Sequence, residues 1–116
     1  MCYEWDERKN RLNQRKHGGI SFELAALVFE DKHRLIGLNS VDETGEERWH
    51  AIGAVSVEPG VVGVLFVVHV YRHPSGKDLV PGLPREEEDH EEFIRIISAR
   101  RANKDECRRY QEQELE

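Results

Sequence analysis

The stretch that most constrains the fold is Val61–Arg72, whose sequence VVGVLFVVHVYR is almost entirely apolar and rich in β-branched residues. Such a run predicts a buried strand, because β-branched and aromatic side chains pack well on a pleated sheet. No apolar run in the chain reaches the roughly 20 residues that a membrane-spanning helix needs. We therefore expect Val61–Arg72 to be the central strand of a sheet, covered on both faces.

Caps and turns divide the rest of the chain into short elements. Asp6 is a plausible N-cap for a charged helix that runs to about His17, where Gly18-Gly19 provides a stop. Ser21 can cap a second helix, whose apolar stripe is Phe22, Ala25, Ala26 and Phe29. Further strands are predicted at about 2–5, 34–38, 47–57 and 93–98, and a last helix at about 103–113.

These elements follow the order β-α-α-β-β-β-β-α. A chain of 116 residues is long enough for one modest core, so we expect residues 1–116 to form a single domain. The order predicts an α+β fold, in which an antiparallel sheet carries helices against one face.

The net charge of −6 is concentrated in one segment. Residues 73–92 contain seven acidic and two basic residues, so they carry −5 and leave −1 for the rest of the chain. Three of the four prolines also lie there, and this composition predicts a mobile acidic loop inserted between two strands. A basic surface elsewhere is therefore compatible with the acidic total.

The last strand and helix predict a phosphate-binding point. The run Ile94–Ala102 is typical of a buried strand, and its end would bring three polar side chains to one point: Ser98, Arg100 and Arg101. A helix follows at once, capped by Asn103, with Glu106 completing a capping box. Guanidiniums beside the N–H groups of a helix start suit phosphate. Alternatively, these arginines are only part of a solvated helix face.

Other charged residues interrupt the apolar strands. Period-2 alternation places Arg48 and His50 on one face of their strand and Glu47 on the other. Arg72 and Arg95 also project from otherwise apolar strands, and each guanidinium needs water or a partner. One interpretation is a cross-strand ion pair, for example Glu47 with Arg95 or Arg72. The other is a sheet surface lined with guanidiniums that binds a phosphodiester.

Cleavage of RNA without a metal would require a base for the 2′-hydroxyl, charge stabilisation at phosphorus and an acid for the leaving oxygen. Arginine supplies only the stabilisation, because it stays protonated. His50, two residues beyond Arg48, is the first candidate for proton transfer. The other candidates are Glu47, His69, His17 and Tyr110.

The sequence predicts no metal site and no cofactor. His69 and His73 would lie about 13 Å apart on a strand, and the histidines form no recognisable ligand cluster. Cys2 and Cys107 have no pairing or metal spacing, which suits a reducing cytoplasm. The N-terminus lacks the basic and apolar regions of a signal peptide. We therefore expect a cytoplasmic protein without membrane contact.

Several spaced motifs resemble, in order, those of the BrnT toxins. They are Glu4-Trp5-Asp6 with Lys9 and Asn13, Lys16-His17-Gly18, Ile20-Ser21-Phe22-Glu23, Glu47-Arg48, Gly53, the apolar strand ending in Arg72, Ile94–Ala102 and Glu106-Arg108-Arg109-Tyr110. The resemblance covers nearly the whole chain except residues 73–92. The chain departs from the family at Gly19, which lengthens the Lys-His-Gly turn, and in the size of its acidic segment.

The resemblance implies a RelE-like fold and a ribonuclease toxin of a type II toxin–antitoxin system, which cuts RNA without a metal and inhibits translation. The implied partner is a BrnA-like antitoxin, through which any contact with DNA would be indirect. The candidate catalytic residues are Glu47, Arg48, His50, Arg72 and Arg95. The candidate RNA-binding residues are Lys16, His17, Ser98, Arg100 and Arg101.

A function of a different class is also open. The chain could be a non-catalytic interaction protein, the partner and co-repressor of a DNA-binding antitoxin. The net charge of −6 favours this reading, because it repels RNA at long range, whereas the placement of the arginines favours the nuclease. A third reading is a housekeeping α+β domain whose arginines only form ion pairs. The acidic segment would either compete with RNA for the arginines or contact the antitoxin.

Overall fold

The computed structural model describes residues 2–72 and 93–114, and the elements of this part of the chain follow the expected order. They are β1 (Cys2–Glu4), α1 (Glu7–Lys16), α2 (Phe22–Ala26), a 3-10 turn (Leu27–Glu30), β2 (Leu35–Val41), β3 (Glu47–Glu58), β4 (Val61–Arg72), β5 (Phe93–Arg101) and α3 (Lys104–Glu114). The loop predicted at 73–92 lies outside the described residues. Among the described helices, none is long and apolar enough to cross a membrane.

The strands form one sheet in the order β1-β5-β4-β3-β2, with β4 in the middle as predicted. The pairs from β5 to β2 are antiparallel, whereas β1 runs parallel to β5. The prediction of an antiparallel sheet is therefore wrong for β1, and the sheet is mixed. A tight turn forces antiparallel pairing only between strands adjacent in the chain, and most of the sequence separates β1 from β5.

Local signals set the helix ends where the sequence predicts them. The side chain of Asp6 accepts a hydrogen bond from the backbone N–H of Arg8 at 2.8 Å. The hydroxyl of Ser21 accepts one from the N–H of Leu24 at 3.0 Å. After α1, Gly18 has φ +62°, a left-handed conformation that side chains other than glycine rarely adopt. These contacts satisfy backbone groups that a helix end leaves unpaired.

The core lies between the sheet and the segment of α2 and the 3-10 turn; we call this side of the sheet the helix face. Phe22, Ala25 and Phe29 of the predicted stripe are buried there. They meet the inward residues of three strands, which include Ala51, Val55, Leu65, Val67, Ile94, Ile96 and Ala99. A Cβ atom on Gly53 would lie 2.8 Å from Val28 Cγ1, so glycine at this position lets the 3-10 turn approach β3.

The opposite face is covered less completely. On β4, Leu65 and Val67 of the helix face are fully buried, whereas Phe66 and Val68 of the opposite face are half-buried. The expectation that β4 is covered on both faces therefore holds for the helix face and only in part for the other. This second face remains accessible to other molecules.

One edge of β5 is completed by a side chain. β1 pairs with only the first three residues of β5. Farther along, the buried amide of Asn13 donates to the carbonyl of Ala99 at 2.7 Å and accepts from its N–H at 3.1 Å. The same amide donates to the carbonyl of Ile20 at 2.9 Å. Asn13 therefore makes the two hydrogen bonds that a neighbouring strand would make and fixes α1 against the sheet.

Candidate functional site

The face opposite the helix face gathers six of the predicted site residues, and we call it the arginine face. They are Arg48, His50, Arg72, Arg95, Ser98 and Arg100. Val68 pairs with both His50 and Ser98, and Val70 pairs with Arg95. Continuing the β3–β4 register by one residue places Arg48 level with Val70. Arg48 and Arg95 then flank Val70 from both sides, with Cα atoms about 10 Å apart across three strands.

The other four predicted residues lie elsewhere. Glu47 begins β3, is exposed and belongs by alternation to the helix face, as the sequence predicted. Lys16 and His17 end α1, which is hydrogen-bonded to α2 through Asn10.

β5 runs three residues beyond its predicted end, because β4 offers pairing partners as far as Leu65. Alternation then sends Arg100 and Arg101 to opposite faces. The expectation that Ser98, Arg100 and Arg101 meet at one point is therefore wrong. Continued backbone pairing with β4 keeps this run of arginines in the sheet.

Arg72 and Arg95 share one carboxylate, that of Glu4, and we call these three residues the open cluster. Arg72 Nη1 lies 3.8 Å from Glu4 Oε1, and Arg95 Nη1 lies 3.4 Å from Glu4 Oε2. The side chains of Arg72, Arg95 and Glu4 are 45%, 28% and 36% exposed. Loose pairs of this kind contribute roughly 0–1 kcal/mol, so an incoming anion can displace the carboxylate at little cost.

Glu4, the carboxylate that Arg72 and Arg95 share, was not among the residues predicted from the sequence. The ion pairs suggested for Arg72 and Arg95 involved Glu47, whereas both guanidiniums meet Glu4. The parallel register places Glu4 directly beside Arg95. The alternation Tyr3-Glu4-Trp5 already indicated a strand with one polar side chain between two aromatic ones. Its pairing with β5 carries no local signal.

Arg100 belongs to a second arrangement, which we call the closed cluster and which comprises Arg100, Glu106, Asn103 and Phe66. Arg100 donates from both terminal nitrogens to the two carboxylate oxygens of Glu106, at 2.8 and 2.9 Å. The guanidinium carbon lies 4.3 Å from the centroid of the Phe66 ring. The hydrogen bond from Arg100 lowers the pKa of Glu106 and raises the pKa of Arg100 itself.

The closed cluster also contains the predicted capping box. Glu106 accepts from the backbone N–H of Asn103 at 2.8 Å, and Asn103 Oδ1 accepts from the N–H of Glu106 at 2.8 Å. This prediction is confirmed. Because Glu106 is only 11% exposed and holds both the helix start and Arg100, the cluster fixes α3 to the end of β5.

His50 lies between these clusters in an enclosed position. Its ring stacks on Phe66 with centroids 5.0 Å apart. A Cβ atom on Gly37 would lie 3.0 Å from His50 Nε2, so glycine there makes room for the ring. Both ring nitrogens are buried without a hydrogen-bond partner in the described part of the chain, as is Arg48 Nε. Burial and then the positive Arg109 lower the pKa of His50, while Glu106 opposes this, so the imidazole is neutral near pH 7.

Two other candidates for proton transfer, His69 and Tyr110, lie among packed side chains away from the arginine face. His69 is fully buried on the helix face, its ring edge-to-face with Phe29, and burial lowers its pKa to about 4. The hydroxyl of Tyr110 donates to Asp31, which also accepts from the N–H of Ala54 at 2.8 Å. Burial alone would raise the pKa of Asp31, but these hydrogen bonds hold it below the ordinary value. Asp31, also unforeseen from the sequence, ties α3 to β3.

The arginine face therefore offers positive charge, and its described residues include few acidic side chains that could bind a metal ion. Within residues 2–72 and 93–114, no group of three or more His, Cys, Asp or Glu side chains is arranged to hold a metal ion. Guanidiniums above an apolar strand surface attract phosphate by charge and by planar hydrogen bonding. The chemistry of this face suits a phosphodiester better than a neutral ligand.

A comparison with protein families agrees with this chemistry. The model of a family described as "Ribonuclease toxin, BrnT, of type II toxin-antitoxin system" matches residues 5–106, nearly the whole chain. The resemblance seen in the sequence motifs is thereby confirmed. No curated relative matches the chain.

Proposed function

Because the chain belongs to the BrnT family of ribonuclease toxins of type II toxin–antitoxin systems, we propose that it cleaves RNA on its arginine face without a metal. Membership makes it a toxin with an antitoxin partner. The proposal adds that the partner is BrnA-like, that cleavage takes place in the cytoplasm and inhibits translation, and that the fold is RelE-like.

The observation that carries the proposal is the grouping of Arg48, Arg72 and Arg95 around Val70. Val70 is 3% exposed, so these arginines occupy strand positions around an apolar floor. Positive groups beside low-dielectric surface interact more strongly with developing negative charge than the same groups in water. Three arginines can supply the stabilisation that a metal ion supplies in other nucleases.

In this proposal Arg72 and Arg95 bind the scissile phosphodiester by displacing Glu4 from their terminal nitrogens. Arg48 contacts the phosphodiester from the other side of Val70. Ser98, the next paired residue of β5 on the same face after Arg95, adds a hydroxyl. His50 remains the sequence's candidate for proton transfer, and its enclosed nitrogens would have to become accessible to RNA. Lys16, His17 and Arg101 remain predicted contacts for a longer RNA that passes beyond this face, and Glu47 remains a predicted catalytic residue.

A second candidate function is the non-catalytic partner of a DNA-binding antitoxin. The observation in its favour is that Glu4 already neutralises part of the open cluster while the nitrogens of His50 are enclosed. In that case RNA would meet a face with little free positive charge.

One experiment separates the two functions. The wild type, the double variant Arg72→Ala/Arg95→Ala and the control Arg8→Ala/Arg11→Ala are expressed without antitoxin, and growth and RNA integrity are followed. Arg8 and Arg11 are exposed on α1, so the control removes the same charge from another surface.

The nuclease predicts growth arrest and RNA fragments with the wild type and the control, and neither with the double variant. Intact RNA and normal growth with the folded wild type would exclude the nuclease and favour the second function. Cleavage by the purified protein that stops in excess EDTA would contradict the proposed independence from metal.

A further inference from the structure

We infer that Glu4 is the catalytic base that removes the proton from the attacking 2′-hydroxyl; this inference rests on the proposed ribonuclease function. No motif in the sequence assigns this role to Glu4, and the candidates chosen from the sequence were Glu47, Tyr110 and three histidines. The assignment comes from where β1 places the carboxylate.

The position of Glu4 is fixed by its neighbours on both sides. Tyr3 packs against Phe29 with ring centroids 5.7 Å apart, and Trp5 packs against Phe22 at 6.3 Å. Both aromatic rings point to the helix face, so alternation turns Glu4 to the arginine face. The parallel pairing then sets it level with Arg95. Aromatic packing on one side of β1 thus holds a carboxylate in place on the other side.

The two guanidiniums make this carboxylate a neighbour of any bound phosphate. Each of its oxygens already lies within 4 Å of one terminal nitrogen, of Arg72 or of Arg95. A phosphodiester bound by the same nitrogens would lie beside the carboxylate, and the 2′-hydroxyl is attached next to that phosphate. Glu4 is therefore close to the proton that must be removed.

The other candidates for the base among the described residues are less suited to this task. Glu106 is held by Arg100 and by the capping box. The nitrogens of His50 are enclosed, and Glu47 points to the helix face. Glu4 is 36% exposed and beside the arginines, so it combines access with position.

The reaction would be an in-line transfer that forms a 2′,3′-cyclic phosphate. Glu4 takes the 2′-hydroxyl proton as the 2′-oxygen bonds to phosphorus, and the bond from phosphorus to the 5′-oxygen breaks. The leaving 5′-oxygen takes a proton from water, and the resulting hydroxide removes the proton from Glu4. Arg72 and Arg95 stabilise the negative charge that accumulates on the non-bridging oxygens.

The test compares Glu4→Gln with the wild type and with Glu30→Gln, which removes an exposed carboxylate from the 3-10 turn. The probe is a random-sequence single-stranded RNA pool, supplied both free and bound to ribosomes. Single-turnover rates are measured at one pH, and the product ends are analysed. Binding is measured with the same pool carrying 2′-O-methyl groups, which cannot react.

Glu4→Gln is expected to slow cleavage by about 100-fold or more, the usual contribution of a positioned base. Its affinity for the 2′-O-methyl pool is expected to be equal or higher, because a negative charge beside the arginines is removed. Glu4→Asp should restore part of the rate, because it returns a carboxylate to the same strand position. The wild type and Glu30→Gln should both give cyclic phosphate ends.

Three results would overturn the inference, and they differ in what else they overturn. If the wild type cleaves and Glu4→Gln cleaves at the same rate, Glu4 is not the base and the nuclease stands. If the wild type leaves free and ribosome-bound RNA intact, the proposed function falls together with the inference. Parallel loss of RNA binding and cleavage in a folded Glu4→Gln would also exclude a base, because a base is not needed for binding.

Discussion

Two arginine–carboxylate groups lie on one face of the same sheet, and their geometry differs sharply. In the closed cluster, Arg100 makes two short hydrogen bonds to a carboxylate that is also part of a capping box. In the open cluster, Arg72 and Arg95 each approach Glu4 with a single nitrogen, at 3.8 and 3.4 Å. The same residue types thus hold a helix in one place and stay available to a ligand in the other.

The difference shows that residue type alone does not identify a phosphate site. Arg100 was a candidate for RNA binding because it precedes a helix N-terminus. There the Glu106 carboxylate, supplied by the helix itself, already occupies its guanidinium. In the open cluster, the carboxylate comes from a three-residue strand and makes longer contacts. It therefore holds its arginines less tightly than Glu106 holds Arg100.

The largest expected difference between the clusters concerns RNA cleavage. Arg95→Ala should lower the single-turnover rate about 100-fold, the usual effect of removing one group that stabilises the transition state. Arg100→Ala should lower it less than about tenfold, since its role in stabilising the transition state is at most indirect. Rates are compared at a temperature at which circular dichroism shows both variants folded. An equal loss in folded Arg100→Ala would erase the distinction between the clusters.

The second prediction concerns stability, for which the closed cluster should matter more than the open cluster. Glu106→Ala should lower the free energy of unfolding by about 2 kcal/mol, since it removes a helix cap and charge-assisted hydrogen bonds. Glu4→Ala should change it by less than about 0.5 kcal/mol, because its pairs are loose and exposed. Urea denaturation of both variants measures the difference. A large loss in Glu4→Ala would mean that the open cluster is a structural element.

The smallest effect is the dependence on pH of the stability that the closed cluster contributes. The pKa of Glu106 lies below its ordinary value of 4.5, so its charge contributes stability that is complete above about pH 4.5. That contribution is lost as the pH falls through the lower pKa of the folded state. Glu106→Gln keeps an oxygen for the capping box and removes the charge. The stability difference between wild type and Glu106→Gln should therefore shrink from pH 6 to pH 3, and a constant difference would contradict the shift.

The sequence predicted best what depends on neighbouring residues. The caps at Asp6, Ser21 and Asn103, and the order of the elements, follow from interactions within a few positions of the chain. The alternation of β3 also placed Arg48 and His50 on one face correctly. Such features need no knowledge of which strands lie side by side.

What the sequence did not predict depends on pairing between distant segments. The parallel pairing of β1 brings Glu4 to Arg95, and no residue near either one indicates it. The extension of β5 to Arg101 depends on the length of β4, not on the arginines themselves. The shielding of His50 depends on Gly37 and on Phe66, each supplied by a neighbouring strand.

The amide of Asn13 has a consequence for how copies of the chain meet at high concentration. A strand edge with unpaired N–H and C=O groups is a template on which another polypeptide can add, and proteins protect such edges. Along β5, the three-residue strand β1 and the amide of Asn13 occupy backbone groups to which another polypeptide could otherwise bind. The amide does this only because it can donate and accept at once, so Asn13→Asp would place a carboxylate against the Ala99 carbonyl and reopen the edge. A single polar side chain thereby keeps the toxin's sheet from growing sideways at β5.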